Sequence, residues 1–212
     1  MKATTKIGIP KILRYSFLAL SLGVALLLLL NLSCYFGFWG NGPFLRGEIA
    51  TQGLQEISKV PLPDGGEFRT YNFKEQKLVF LDFASAQAFF QIRHMVYLLF
   101  QNMSWALVAF VFYQMFRIFK NLDRGQTFLA DNTRRIQWIG AAIFAYPIAS
   151  LEGELLLKGI VMRLQGQEMG FSPLVIFSEK IILGGLLCLV MFALAEAFRN
   201  GTQLQQEQDL TI

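Results

Sequence analysis

Seven of the charged and amide side chains in the apolar stretches of this 212-residue chain lie toward the predicted outer side, and these are the residues that could perform chemistry there. A polar group inside a long apolar stretch is costly in a lipid bilayer and therefore marks a candidate functional position. One histidine and two cysteines provide neither a zinc site nor a disulfide framework, so we expect no metal and no cofactor. The seven residues form the candidate polar cluster: Asn31, Gln101, Asn102, Glu152, Glu154, Glu179 and Lys180.

Two interpretations of the candidate polar cluster stay open. In the first, the side chains join helices: Lys180 pairs with Glu152 or Glu154, Glu154 with Lys158, and the amides bond across the bundle, each bond contributing about 0.6 to 2 kcal/mol. In the second, they line a vestibule open to the outside that binds a small polar ligand or passes protons. An enzyme is not expected, because no nucleophile with its base can be assembled from one histidine and two cysteines.

Four long apolar stretches must position these side chains. The chain is 54% hydrophobic and only 16% charged, whereas soluble domains are about 25% charged. A bilayer core about 30 Å thick requires about 20 apolar residues in a helix, and the uninterrupted apolar runs exclude the alternation of a β-barrel. The sequence predicts an all-α membrane protein, a four-transmembrane-helix bundle with helices at residues 15–38, 94–119, 136–157 and 173–197.

The distribution of lysine and arginine predicts the orientation of the chain. Basic residues are densest before the first helix and in the loop at residues 120–135, and such segments remain in the cytoplasm. We therefore expect a bacterial cytoplasmic (inner) membrane protein with both termini, the 120–135 loop and the 198–212 tail in the cytoplasm. The formal net charge of +4 is then a topology signal, and no direct nucleic-acid binding is expected.

The segment 39–93 would lie outside the cytoplasm. A Pro- and Gly-rich turn at residues 60–66 is followed by strand-like residues 68–73 and 77–83, which predict a β-hairpin. Residues 84–93 predict a helix that runs directly into the second span. About 50 residues cannot bury a large independent core, so we expect a small cap on the bundle.

Two motifs stand at the predicted cytoplasmic side. The loop pattern Gly-x-x-Phe-x-x-x-Asn-x-x-Arg comprises Gly125, Phe128, Asn132 and Arg135. Gly125 is suited to the positive φ that ends a helix, Asn132 to capping the next helix, and Arg135 to anionic headgroups or acidic residues of the tail. The motif residues of the tail are Phe198, Arg199, Gly201, Glu207 and Asp209.

Together the two motifs resemble the bacterial membrane-protein family catalogued as domain of unknown function 2975. Its members pair this loop pattern with a Phe-Arg-x-Gly tail that ends in Glu-Gln-Asp-Leu-Thr and an aliphatic residue. The resemblance covers the second half of the chain closely and the first half only in layout. It implies four membrane helices, no established chemistry, and a cytoplasmic helix-turn-helix regulator as a partner.

The leading hypothesis from the sequence is a non-enzymatic membrane sensor or regulator that relays a signal to a cytoplasmic partner through the loop and tail. The alternative is a small transporter or channel subunit whose polar site is the candidate polar cluster in the outer half of the bundle. The loop and tail also allow a simpler interpretation, in which they serve only capping and topology. The lipid bilayer is the expected environment, and the oligomeric state stays open, a homo-oligomer included.

Overall fold

The computed structural model describes residues 8–36, 43–50, 59–61, 66–73, 76–125, 129–164 and 178–210. Within them the chain forms four long helices and a small antiparallel sheet, which confirms the predicted all-α four-helix bundle. All four long helices are long and apolar enough to cross a membrane. The helices are α1 (Ile9–Tyr35), the single turn α2 (Ala86–Phe89), α3 (Ile92–Asp123), α4 (Ala130–Leu164) and α5 (Glu179–Leu210).

The surfaces of the helices support a membrane environment. Leu22 of α1 is 62% exposed and Leu189 of α5 is 67% exposed, and many other large apolar side chains lie on the same two helices. Contiguous apolar surface of this extent is not stable in water but is the normal surface of a helix in lipid. The chain is therefore a membrane protein.

The long helices differ in extent from the predicted spans. Helix α1 begins at Ile9 rather than at residue 15, and α3 and α4 extend beyond residues 94–119 and 136–157 at both ends. Helix α5 continues to Leu210 instead of ending at residue 197. Helical hydrogen bonding continues through flanking polar residues of good helix propensity, such as Gln and Glu, so apolar content marks the membrane part of a helix but not its ends.

The chain divides into two compact units. The helical unit comprises residues 1–26, 105–148 and 176–212, and the sheet unit comprises residues 27–104 and 149–175. Helices α1, α3 and α4 each contribute residues to both units, whereas α5 belongs to the helical unit.

The sheet unit contains the predicted hairpin and two further strands. The hairpin is confirmed, with Glu67 opposite Asp82 at one end and Phe73 opposite Gln76 at the other. The two outer strands were not predicted, because one is only three residues long and the other carries Gly47 at its centre. The sheet order is β1 (Phe44–Ala50), β4 (Gln76–Asp82), β3 (Glu67–Phe73) and β2 (Lys59–Pro61).

One face of the sheet forms the core of the sheet unit. Leu45 and Phe68 both lie opposite Leu81 in register, so the three side chains form a row across the sheet. All three are almost completely buried. They pack in one cluster with residues from the helices, namely Tyr35, Phe89, Tyr97, Leu98, Leu157, Ile160 and Val161.

The predicted continuous helix over residues 84–93 is wrong. Helix α2 ends at Phe89, and α3 begins only after Gln91. Phe89 is fully buried, and His94 Nδ1 lies 3.1 Å from the carbonyl oxygen of Ala88 and 3.2 Å from that of Phe89. The histidine ring therefore satisfies carbonyl groups that a continuous helix would have bonded with backbone N–H groups.

In the helical unit, α3, α4 and α5 share an apolar core of Ile118, Ile136, Ile139 and Ala195. Helices α4 and α5 approach closely beside Pro147, because a Cβ atom on Gly184 would lie only 2.8 Å from its Cγ atom. Small residues permit such close packing of membrane helices.

Helix α1 packs against α3 in the same unit. The Phe17 and Phe119 rings stack at a centroid distance of 5.4 Å. Ser21 Oγ donates a 3.1 Å hydrogen bond to the carbonyl oxygen of Ala109. Aromatic packing and a hydroxyl–carbonyl bond thus join α1 to α3 at two levels.

Candidate functional site

A set of polar side chains connects α3 and α4 in the helical unit, and we name it the loop-end network: Gln114, Asn121, Asp131, Asn132 and Arg135. Asn121 Nδ2 donates a 2.7 Å hydrogen bond to Oδ1 of Asn132, whose side chain is fully buried. Gln114 and Asn121 are seven residues apart, which places both on one side of α3. A buried amide requires such a partner, because leaving it unpaired costs about 1–3 kcal/mol.

Arg135 forms the second bond of the loop-end network. Its guanidinium donates a 3.2 Å hydrogen bond to Oε1 of Gln114 and lies 3.5 Å from the Asp131 carboxylate. The arginine side chain is only 15% exposed, whereas that of Asp131 is 70% exposed. The planar guanidinium can serve both partners at once, and this pairing makes its partial burial tolerable.

The structure corrects one expectation about the loop motif and adds partners for a second residue. Asn132 does not cap α4: the carbonyl oxygen of Leu129 accepts the first bonds of the helix, and Asn132 lies within the first turn. Within the described residues Arg135 has Gln114 and Asp131 as partners, and its contact with anionic headgroups stays a prediction. The sequence missed Gln114 and Asn121, although their seven-residue spacing was a signal for a polar strip on one side of α3.

Gly125 has a φ of 75° just after the end of α3, as predicted. Its N–H donates a 3.0 Å hydrogen bond to the carbonyl oxygen of Leu122, which closes the last turn of the helix. An L-residue with a side chain is strained at this φ. Phe128 lies outside the described residues.

The tail motif is part of α5. Phe198 packs against the apolar core of the helical unit, and Arg199 forms an ion pair with Glu196 on the same helix. Gly201 is half-buried, whereas Glu207 is exposed. The backbone of Asp209 belongs to α5, and its side chain lies outside the described residues.

An ion pair that the sequence did not predict joins α1 to α3. Arg14 lies 3.1 Å from the carboxylate of Asp123, and both side chains are about one-quarter exposed. The guanidinium also lies over the Phe116 ring, 5.9 Å from its centroid. Arg14 therefore makes specific contacts with Asp123 and Phe116 in the helical unit, in addition to its contribution to the predicted topology.

In the sheet unit, two tyrosines bind the same backbone atom. The hydroxyls of Tyr97 and Tyr35 donate hydrogen bonds of 2.6 Å and 3.3 Å to the carbonyl oxygen of Arg46 in β1. Both tyrosines are almost completely buried, and a buried hydroxyl is stable only when it has a partner. The pair therefore fixes β1 to α1 and α3 within the sheet unit.

The seven members of the candidate polar cluster fall into different units. Glu179 and Lys180 belong to the helical unit and are the first two residues of α5. They stand in the first turn of α5, where the carbonyl oxygen of Ser178 accepts bonds from the N–H groups of Ile181 and Ile182. Their predicted depth in the fourth span stays a prediction. The other five belong to the sheet unit: Asn31, Gln101, Asn102, Glu152 and Glu154.

Two of these five residues lie next to close helix packing in the sheet unit. A Cβ atom on Gly153 would lie 3.7 Å from Gln101 Oε1, so α3 and α4 approach closely there. Asn102 Nδ2 donates a 2.7 Å bond to the carbonyl oxygen of Leu98, while its buried Oδ1 has no hydrogen-bond partner among the described residues.

The predicted ion pair between Glu154 and Lys158 is not among those that the described residues form. Glu152 is exposed. In the described part of the chain, His, Cys, Asp and Glu side chains form no group of three or more that could hold a metal ion.

Comparison with known proteins identifies the family. The family model described as "Protein of unknown function (DUF2975)" matches residues 49–212, from the end of β1 to the end of the chain. The match includes both motifs and extends further into the first half than the motifs alone indicated. No curated protein and no solved structure matches the chain. Because the family model covers well over half of its length, the protein belongs to the family of unknown function DUF2975.

Proposed function

We propose that this protein is a non-enzymatic membrane regulator whose helical unit presents a binding surface to a cytoplasmic partner. The observation that supports the proposal most directly is the extent of α5. Its 32 residues span about 48 Å, whereas a hydrocarbon core is about 30 Å thick. The helix therefore extends well beyond the bilayer.

The last part of α5, from Gln203 onward, is the extension, and its surface is suited to binding a partner. Gln203, Gln205, Gln206, Glu207 and Gln208 are exposed. Leu204, which lies among them, is 61% exposed. An exposed leucine among polar side chains is a suitable apolar anchor for a partner, with amide groups around it to form hydrogen bonds.

The base of the extension is fixed to the helical unit. Phe198 packs against the core that α3, α4 and α5 share, and Thr202 Oγ1 bonds to the carbonyl oxygen of Phe198 at 2.9 Å. A change in the packing of α3 and α4 would therefore move the exposed part of α5. This mechanical connection is the route by which we propose that a membrane signal reaches the partner.

The orientation of the chain is part of the proposal. The basic residues near the first helix and in the 120–135 loop favour a cytoplasmic location for the loop and for the end of α5. Reporter fusions at Gly65 and Asn121 test it: the two reporters should be active on opposite sides of a bacterial inner membrane. Activity of both on the same side would contradict the proposal.

The partner surface is tested by crosslinking in native membranes followed by mass spectrometry. A helix-turn-helix regulator, the partner that the family resemblance implies, should be captured by the full-length chain. Capture should be lost after deletion of residues 203–212 and strongly reduced by Leu204→Gln. The matched control is Gln205→Ala, which leaves the apolar anchor in place and should not change capture. Equal capture by the deletion variant would end the proposal.

A transporter or channel subunit is the second candidate function. It is supported by the buried Oδ1 atom of Asn102, an acceptor without a partner among the described residues, because a bound ligand could satisfy such an atom. Flux of a polar solute into reconstituted vesicles that is abolished by Glu152→Gln and Asn102→Leu would favour this candidate. Flux that is absent from wild-type vesicles would reject it for that solute.

A further inference from the structure

An apolar cavity of about 200 Å³ lies between α3 and α4 in the helical unit. Leu107, Val108 and Phe112 line it on α3, and Ala142 and Tyr146 line it on α4. These residues lie near the middle of two helices that are long enough to cross a membrane. The occupant of such a cavity is therefore expected to be apolar and to come from the bilayer.

The side of α4 that lines the cavity also carries Arg135. Arg135 precedes Ala142 by seven residues and Tyr146 by eleven, and both spacings correspond to about whole turns of a helix. On α3, Gln114 follows Leu107 by seven residues. The bond between Arg135 and Gln114 therefore lies on the cavity side of both helices, toward the loop.

The distance along α4 between Arg135 and the cavity matches the thickness of the hydrocarbon layer of one lipid leaflet. Seven to eleven residues correspond to about 10–17 Å along α4, and half of a 30 Å hydrocarbon core is about 15 Å. A lipid whose acyl chain occupies the cavity would thus have its headgroup near the level of Arg135.

The arginine can accept an anionic group at this level. Its side chain is 15% exposed, and its contact with the exposed Asp131 carboxylate is 3.5 Å long. Its Nε donates to no acceptor among the described residues. A phosphate oxygen at the exposed part of this side chain would add a charge-assisted hydrogen bond to the contacts with Gln114 and Asp131.

We propose that the cavity between α3 and α4 binds one acyl chain of an anionic phospholipid whose phosphate contacts Arg135. The apolar lining selects a hydrocarbon chain, and the positive charge selects an anionic headgroup over a zwitterionic one. This lipid site is independent of the proposed partner surface on α5, since it uses neither Leu204 nor residues 203–212.

Native mass spectrometry of the purified full-length chain tests the lipid site. Delipidated protein is titrated with phosphatidylglycerol or with phosphatidylcholine that has the same acyl chains. We expect a single tightly held phosphatidylglycerol, bound about tenfold more tightly than phosphatidylcholine, which corresponds to about 1.4 kcal/mol. Equal binding of the two lipids would overturn the proposal.

Two variants separate the acyl contact from the headgroup contact. Val108→Trp fills the cavity and should abolish retention of the single lipid, while Val190→Trp, on the 62%-exposed position of α5, should not. Arg135→Gln should remove the preference for phosphatidylglycerol, and Arg135→Lys should keep most of it. The neighbouring exposed Arg134→Gln is the control that should leave the preference unchanged.

The same mass spectra distinguish a lipid in the cavity from a side chain of a second copy of the chain. Unchanged lipid retention by Val108→Trp, in a protein with wild-type helix content by circular dichroism, would overturn the proposal. A lipid-free dimer that Val108→Trp converts into monomer would also overturn it, because the cavity would then hold a side chain of a second copy.

Discussion

The two units of the protein use polar groups in different ways. In the sheet unit, Tyr35 and Tyr97 bind a backbone carbonyl oxygen at the edge of a tightly buried apolar core. In the helical unit, the loop-end network consists of bonds between side chains, such as the bond from Asn121 to Asn132. A backbone carbonyl is present whatever the sequence, whereas a side-chain partner must be encoded at each position.

Each unit also has an apolar core, so the comparison is between the buried row of the sheet unit and the polar network of the helical unit. The row of Leu45, Leu81 and Phe68 has almost no exposed surface, and burial of each such side chain contributes about 1.5–3 kcal/mol. The polar pairs of the helical unit contribute less each, but they carry more specificity. We therefore expect substitutions in the sheet unit to affect stability most and those in the helical unit to affect helix arrangement.

The largest effect is expected for Phe89→Ala in the sheet unit. Phe89 is fully buried and packs with Leu81 and Tyr97, so its removal should lower the free energy of unfolding by about 3–5 kcal/mol. Thermal unfolding of the purified protein in detergent measures the change. The adjacent Phe90, which is 56% exposed, is the matched control, and Phe90→Ala should have a much smaller effect. Similar losses for both would show that burial does not distinguish the two positions.

The next effect concerns the loop-end network. Asn132→Ala leaves the Asn121 amide without its acceptor and should lower the free energy of unfolding by about 1–3 kcal/mol. The double variant Asn121→Ala with Asn132→Ala should lose less than the sum of the two single variants, because the two side chains are partners. Asp131→Ala, at a 70%-exposed side chain, should change little. Additive losses in the double-mutant cycle would refute the pairing.

A smaller effect is expected for the two tyrosine hydroxyls of the sheet unit. Tyr97→Phe removes the 2.6 Å bond to the Arg46 carbonyl oxygen and should lower stability by about 1 kcal/mol. Tyr35→Phe removes the 3.3 Å bond and should have a smaller effect, since the longer bond is weaker. Hydrogen exchange of the amides in β1 reports this locally. Exchange that is faster in the Tyr35 variant than in the Tyr97 variant would reverse the proposed order.

The smallest effect is expected for the ion pair of Arg14 and Asp123. Both side chains are about one-quarter exposed, and pairs of this kind contribute at most about 1 kcal/mol. Arg14→Gln should therefore lower thermal stability slightly, and the difference from wild type should decrease in high salt. Lys11→Gln removes an exposed charge from the same helix and controls for net charge. A loss that does not depend on salt would indicate packing of Arg14 on Phe116 instead.

The four helices, the hairpin and the helix end at Gly125 could be predicted because each has a local signal. Apolar length identifies a span, alternation identifies a strand, and glycine after a helix indicates a positive φ. The break between α2 and α3 could not be predicted, because it depends on contacts of His94 with carbonyl groups several residues earlier in the chain.

The candidate site also combines residues that have a local sequence signal with partners that only the packing of the helices brings together. The motif residues Asn132 and Arg135 were identified from the sequence, but their partners Asn121 and Gln114 depend on how α3 and α4 pack. Glu179 and Lys180 were assigned to the outer half of the fourth span because apolar residues occur on both sides of them. In the structure α5 begins at Glu179, directly after Ser178, and hydropathy alone does not mark the first residue of a helix.

Helix α5 also has the proportions of a lever. Gly184 brings it against Pro147 near one end, and no methyl group fits in that contact without a shift. From Gly184 to Leu210 the helix spans about 39 Å, so a tilt of about 10° at this pivot produces a swing of about 7 Å at Leu210. A change in helix packing that is too small to alter the fold would therefore displace the Leu210 end of α5 by more than the width of a side chain.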